Sequence, residues 1–472
     1  MDLPKEFISR TREFLGEEDL NKLVEVLDTT SPTSIRTNPF KWNNTVDEEP
    51  VSWCQNAYYL AERKPFTFDP LFHAGAYYVQ EAASMFLDRV IKEYVKGAVI
   101  ALDLCAAPGG KSTLIRSALP EGSLLFANEY VKNRSQILAE NIIKWGNSDI
   151  IVTNNSPADY SQFNNLFDFI LTDVPCSGEG MFRKDEMAIS EWSIDNVLNC
   201  QQRQREILKD IWSTLKEGGI LVYSTCTYNR EENEDNVKWI SEELGAEVLS
   251  VPISEDWKIT GSLTDEELPV YRFLPHKTKG EGLFMAVLKK SCKDEYEGYG
   301  HSYLDDKRDK KNKKNNKGNS KTFIVPQNVK EWLKENDYFT FGSNETTIEA
   351  FPKRHYEIYD RVKDKLRIIH KGIEIASIKG KDLIPSHSLA MSTSINMEMF
   401  CTIELDYRSS IAYLRKEAIA VDSSYPKGYV LFTYRGLPLG FAKNIGNRTN
   451  NLYPQEWRIR SSYPPEEDPS II

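Results

Sequence analysis

No stretch of this chain approaches the roughly 20 uninterrupted apolar residues of a membrane helix, so no membrane partner is expected. The start, MDLPKEFISRTREF, lacks a basic-then-apolar leader pattern. Cysteine is sparse and unpatterned: seven residues, at 54, 105, 176, 200, 226, 292 and 401, an odd number with no C-x-x-C pair. Neither a disulfide framework nor a metal site is expected, and a reducing, cytoplasmic setting is. An excess of basic charge is missing too. The net charge of −11 speaks at first against a nucleic-acid partner. Its distribution weakens that objection. Residues 1–292 carry 30 Lys+Arg against 45 Asp+Glu, a net −15, whereas 293–321 carry 9 against 6 and 322–472 carry 20 against 19. The acidity belongs to the front of the chain, and a local basic surface is compatible with it.

With 472 residues the chain holds more than one domain, since single cores rarely grow past roughly 250–300 residues. It is organised around Val99–Ser112, VIALDLCAAPGGKS. An apolar run broken only by Asp103 reads as a buried parallel strand. Small and turn-forming residues follow, then Lys111 and Ser112 open a helix. Such a strand–turn–helix unit cradles a nucleotide or cofactor, because small side chains let backbone N–H groups approach a ligand. A P-loop needs G-x-x-x-x-G-K-[ST], and position 105 is Cys where Gly is required. The competing reading is a Rossmann-like site for S-adenosylmethionine (SAM). Glu129, closing the strand Leu124–Asn128, then stands where an acid holds ribose hydroxyls.

Taken in order, residues 1 to about 30 read as helical and 30–39 as a Pro-bounded extended piece. A helix is expected over 82–94. Strands are expected at 99–104, 123–128, 149–153, 167–173, 219–225 and 283–289, with helices near 111–118, 131–146, 196–216 and 230–244. Leu215–Gly219 reads as a helix end with a glycine stop. This alternation predicts a doubly wound α/β domain. The Lys/Asn/Gly run within 293–321 reads as a flexible basic linker. Leu366–Ile369 reads as a strand of a small following module. Gly428–Lys443 reads as a hairpin turning at Arg435-Gly436. The Pro- and acid-rich tail from Ser461 reads as loose. Arg36 reads as a surface charge, with phosphate contact as the functional alternative.

Two cysteines follow strand ends directly, Cys176 in DVPCSGEG and Cys226 in STCTYNREEN. A structural cysteine prefers a strand interior, and ligands bind beyond the carboxyl ends of such strands. Asp173, Cys176, Cys226, Glu129 and the small-residue loop are therefore expected to converge. A reactive thiol beside a SAM site suits cytosine methylation. Thiolate addition at carbon-6 makes carbon-5 nucleophilic. A carboxyl group stabilises the adduct, and a base then removes the carbon-5 proton.

DLCAAPGGK (103–111), DVPCSGEG (173–180) and STCTYNREEN (224–233), with SIRTN (34–38) and GAYYVQEAAS (75–84), resemble the Sun/Nop family of RNA 5-methylcytosine methyltransferases. YLRKEAI (413–419), KGYVLFTYRGLPLGFAKN (427–444) and NLYPQEWRI (451–459) look like its RsmF-type branch, whose members carry a PUA-like RNA-binding domain and modify small-subunit rRNA. The resemblance implies an N-terminal α+β segment for RNA recognition over 1–85, a Rossmann-like SAM methyltransferase domain over 86–292, a small α+β module over 322–395 and a PUA-like domain over 396–472. It implies Cys226 as nucleophile, Cys176 in product release and Asp173 at the cytosine ring near SAM. Cys105, Ala106, Ala107, Pro108, Gly109, Gly110 and Lys111 would wrap SAM, and Glu129 its ribose. The position near adenine that often bears Asp reads as Asn155. The expected partner is RNA, 16S rRNA or the 30S subunit, bound by a monomer. A tRNA target, a non-catalytic RNA-binding assembly factor and a P-loop NTPase are the alternatives.

Overall fold

Val99–Ser112 forms the strand, turn and helix that its sequence predicts. In the computed structural model, which describes residues 1–291, 324–446, 448–461 and 463–472, the strand is Ile100–Asp103 (β1) and the helix Gly110–Ala118. The alternation continues through Leu124–Asn128 (β2), Ile150–Thr153 (β3), Phe167–Asp173 (β4) and Leu215–Thr225 (β5). These five strands are parallel, in the order β3-β2-β1-β4-β5. Successive side chains of β1 enter opposite cores: Ala101 packs with Leu114 and Leu138 of helices on one face, Leu102 with Leu208 and Val237 of helices on the other. Burial on both faces explains the near-continuous apolar strands. The winding reverses between β1 and β4, and a crevice opens there beyond the strand ends. The fold is α/β with a Rossmann-like core.

Ala246–Leu249 (β6), Val270–Phe273 (β7) and Leu283–Lys290 (β8) extend the sheet, with β8 antiparallel to β5. At the opposite edge, Ile368–Lys371 (β9) pairs antiparallel with β3. This segment, expected inside a separate module, completes the central sheet instead. The apolar β3 would otherwise present unpaired backbone groups at an open edge. Leu215–Gly219 also differs from expectation. The preceding helix spans Ile194–Trp212, and Leu215 already belongs to β5. Gly218, at φ +73°, sits where the β4–β5 register is irregular, so the glycine pair serves a bulge and not a helix stop.

The N-terminal helix spans Lys5–Leu27 and breaks at Gly16. Thr33–Thr37 and Tyr77–Val79 then lie in a small antiparallel sheet. Over 82–94 the expected helix is a 3-10 turn, Ala83–Phe86, followed by the helix Leu87–Tyr94. Two four-stranded sheets follow residue 324. In the last, Gly428–Tyr434 and Leu437–Asn444 form the expected hairpin, and its turn residues Arg435 and Gly436 both have positive φ (48° and 76°). The tail is not loose: Asp468 accepts from Tyr434 and Arg435, and Ile471 is buried. The last sheet shares a core with the N-terminal one, where Ile35 and Tyr77 pack with Ile403, Tyr413 and Phe432. The 293–321 linker falls outside the described residues. No helix among the described residues is long and apolar enough to cross a membrane.

Candidate active site

The loop after β1 is held from three directions. Ala106 N–H donates to Asn128 O (2.8 Å), Arg134 Nη2 to Ala107 O (2.9 Å) and Asn141 Nδ2 to Pro108 O (2.8 Å). Gly109 has φ +120°, which glycine reaches at no steric cost. A Cβ at Gly110 would lie 3.2 Å from Tyr78 Cε1, so the loop presses on the N-terminal segment. Between them lies a cavity of about 220 Å³, walled by Tyr78, Gln80 and Ser84 on one side and Cys105, Lys111 and Asp173 on the other.

Arg36 is neither a surface charge nor a free phosphate contact, being only 3% exposed. Its Nε donates to Gln80 Oε1 (3.0 Å), its Nη2 to Thr113 Oγ1 (2.7 Å) and Gly110 O (3.3 Å), and the guanidinium lies over Trp145. Burial pulls its pKa down to about 10. It thus ties the extended N-terminal piece to the first turn of the cofactor helix. The sequence held no sign of this, because the partners are 44 and 77 positions away.

Lys111 Nζ donates to Asp173 Oδ2 (2.8 Å), and Ser224 Oγ to Asp173 Oδ1 (2.6 Å). Burial disfavours the Lys111 ammonium, but Asp173 outweighs it and the net shift is upward. Asp103 is fully buried and accepts from Ser112 Oγ (2.6 Å), while its other oxygen has no protein partner. Burial, reinforced by Asp173, raises its pKa to about 7. Lys111 and Ser112, the two residues a P-loop would spend on phosphate and metal, are thus each engaged by a carboxylate.

Beyond β4 and β5, Cys176 Sγ and Cys226 Sγ stand 3.1 Å apart, and Cys226 N–H points at Cys176 Sγ (3.3 Å). Both are free and half-buried. Contact with Cys226, and then burial, pushes the Cys176 thiol well above the usual range. Two buried carboxylates brace the loops. Glu179 accepts the N–H groups of Tyr228 (2.7 Å) and Asn229 (2.9 Å), and Glu232 accepts from Ser177 N–H (3.0 Å) and Gln204 Nε2 (2.7 Å). Asn229 Nδ2 reaches both acids, and burial raises Glu232 to about 7. Glu179, Asn229 and Glu232 have no role in the sequence reading. Their signal was polar residues crowded beside two buried strands. Ser224 was likewise missed.

The structure brings Asp173, Lys111 and the 105–111 loop to one cavity, and the cysteine pair follows the ends of β4 and β5, with Cys226 close enough to favour the Lys111 charge. Glu129 stands at the end of β2, its carboxylate accepting Val131 N–H (2.8 Å) with Arg134 at 3.5 Å. Asn155 faces elsewhere: its amide donates to Arg367 O (3.2 Å) and accepts from Arg367 N–H (3.0 Å). Among the described residues, no group of three or more His, Cys, Asp or Glu is placed to hold a metal ion.

Three sequence profiles match in chain order. That described as the N-terminal domain of 16S rRNA methyltransferase RsmF matches residues 3–82, that of 16S rRNA methyltransferase RsmB/F residues 94–289, and that of the methyltransferase RsmF PUA domain residues 400–459. All three describe parts of RsmB/F-type 16S rRNA methyltransferases, and they run in order along most of this chain. Relatives include the ribosomal RNA small subunit methyltransferase F of Aliivibrio salmonicida, 26% identical over 96% of this chain and 97% of that protein. The protein of the same name from Enterobacter sp. is 27% identical over 96% and 95%. Among solved structures, a methyltransferase homolog protein from Pyrococcus horikoshii is 27% identical, with a TM-score of 0.53 over 61% of this chain and 95% of its own. NSun6 from the same organism, solved with SFG, shares the fold at 21% identity, with a TM-score of 0.53 over 61% of this chain and 99% of its own. The chain is accordingly a methyltransferase.

Proposed function

We propose that this chain methylates carbon-5 of cytosine in 16S rRNA, with SAM as donor and a covalent Cys226–cytosine intermediate. The observation that carries the reading is the Cys176–Cys226 pair, 3.1 Å apart, beside Asp173 on the wall of the loop cavity. The names of the relatives support the rRNA target.

The cradle fits SAM by its small residues and its cavity, and the buried Asp103, at the end of β1 just before the loop, keeps one oxygen without a protein partner. Residues 105–111 would wrap the cofactor and Glu129 would serve its ribose, with Asn155 the residue at the position expected near adenine. Bound there, SAM supplies an electrophilic methyl group. Cys226 adds to carbon-6 of cytosine, and carbon-5 becomes the nucleophile. Asp173 addresses the ring, its oxygens steadied by Lys111 and Ser224. Before attack, the contact with Cys226 and burial hold the Cys176 thiol protonated. Once Cys226 is bonded to carbon the influence of that contact ends. Cys176 then loses its proton to water, its thiolate takes the one from carbon-5, and the electron pair so released re-forms the ring double bond as the Cys226 Sγ–carbon-6 bond breaks and frees Cys226 as thiolate. The target base must leave its stack, at a cost of a few kcal/mol. The N-terminal segment and the PUA domain, which share a core, offset it by binding RNA remotely. The protein works as a cytoplasmic monomer on rRNA or the 30S subunit, divided at about 85, 292, 321 and 395, with residues 368–371 of the fourth part lending an edge strand to the methyltransferase sheet.

RNA bearing 5-fluorocytosine tests this, because fluorine does not leave as a proton does. With SAM present, wild type should accumulate a covalent adduct and Cys226→Ala should not. Adduct loss only in Cys176→Ala would reverse the two roles. No adduct with any RNA, ribosomal subunits included, would overturn the reading.

A further inference from the structure

The position expected to carry an acid near adenine holds Asn155, and its surroundings explain the choice. Asn155 donates to Arg367 O and accepts from Arg367 N–H, so it reads both main-chain groups of one residue 212 positions away. An amide presents one donor and one acceptor; an aspartate would set an oxygen against Arg367 O. The same junction continues inward. Asn154 N–H also donates to Arg367 O (3.0 Å), and Asn154 Nδ2 holds Glu129 O (2.7 Å) and Tyr130 O (2.8 Å). Asn155 N–H donates to Asn128 Oδ1 (3.0 Å), whose Nδ2 returns to Asn155 O (3.0 Å) and reaches Leu104 O (3.1 Å). Asn128 O in turn receives Ala106 N–H, the first rung of the cofactor loop (2.8 Å). The path is short and made of directional bonds, part-buried at Arg367 and buried between Asn155, Asn128 and Leu104.

We infer that the segment after residue 324 completes the cofactor site. Arg367, through Asn155 and Asn128, sets the position of the 104–106 turn, and through Asn154 that of Glu129. Asn155 is a positioning residue in this arrangement, not a contact to adenine, and SAM affinity depends on a part of the chain outside the methyltransferase core. This rests on the SAM reading above.

The test titrates SAM into the full-length chain. Asn155→Asp keeps the shape and breaks the pairing; it should weaken binding about tenfold or more. In turnover assays the KM for SAM should rise while kcat at saturating SAM and the KM for RNA stay within twofold. Asn155→Ala, which removes the pairing without repulsion, should weaken SAM by a smaller factor and serves if Asn155→Asp does not fold. Asp149→Ala is the comparison. Asp149 anchors the same segment elsewhere, through Arg354 (2.8 Å) and His355 (2.9 Å). It should lower Tm yet leave the SAM Kd within twofold. Unchanged SAM binding in both Asn155 variants would overturn the inference alone, as would an equal loss in Asp149→Ala. Wild type that bound no SAM would overturn the SAM reading, and this inference with it.

Discussion

The two halves of the crevice are built on different plans. The cysteine pair is braced locally: Glu179, Asn229, Glu232 and Gln204 all lie in or between the loops after β4 and β5. The cofactor cradle is assembled from afar, with Arg36 and Gln80 from the N-terminal sheet, the 105–111 loop from the core and Arg367 from beyond residue 324. On the proposed reading, the chemistry is thus a property of one sheet and cofactor binding a property of the whole chain. Damage to the first should spare SAM, and damage to the second should spare turnover at saturation.

Gly180→Ala should separate the halves most sharply. Its Cβ would fall 2.6 Å from Gly282 O and 3.0 Å from Cys226 O, backbone atoms that must move. A displaced nucleophile should cost on the order of 10²-fold in kcat, with SAM affinity by calorimetry unchanged. Arg36→Ala is the mirror experiment. Losing charge-assisted hydrogen bonds of about 1.5–3 kcal/mol should raise the KM for SAM about tenfold or more and leave kcat nearly intact. If Arg36→Ala instead reduced kcat alone, the division between the halves would fail.

One buried acid in each half makes a pH test. Asp103 and Glu232 are both raised to about 7 by burial. From about pH 4 to 7 each keeps a proton that the unfolded chain has released. The folded state binds more protons, so stability should fall as pH rises through that window. Asp103→Asn and Glu232→Gln should each flatten the slope of unfolding free energy against pH, measured by denaturant titration at pH 5 and 7. A steeper slope in either variant would contradict the burial argument. The smallest effect is expected outside both halves: Asp468→Asn, at the half-exposed Arg435 pair, should cost about 1 kcal/mol or less.

This division also governs what could be read from the sequence. The β1 strand, its small-residue turn and the two cysteines past strand ends are contiguous patterns, and each sits where its pattern predicts. Arg36, Ser224, Asn155 and Arg367 act across 44 to 212 positions, and no local periodicity encodes such pairings. Leu215–Gly219 misled for a related reason: a glycine pair suits a helix stop and a strand bulge equally, and only the neighbouring β4 decides.

The edge strand β9 also bears on how the chain is made. Val152 and His370, paired across the sheet, are 218 positions apart. A nascent chain released up to residue 291 therefore carries Asp173, Cys176 and Cys226 and an uncovered apolar edge. It must protect that edge until the partner strand leaves the ribosome. The segment inferred to secure the cofactor site is also the last strand of the sheet to be synthesised, so on that inference full cofactor affinity waits until late in translation.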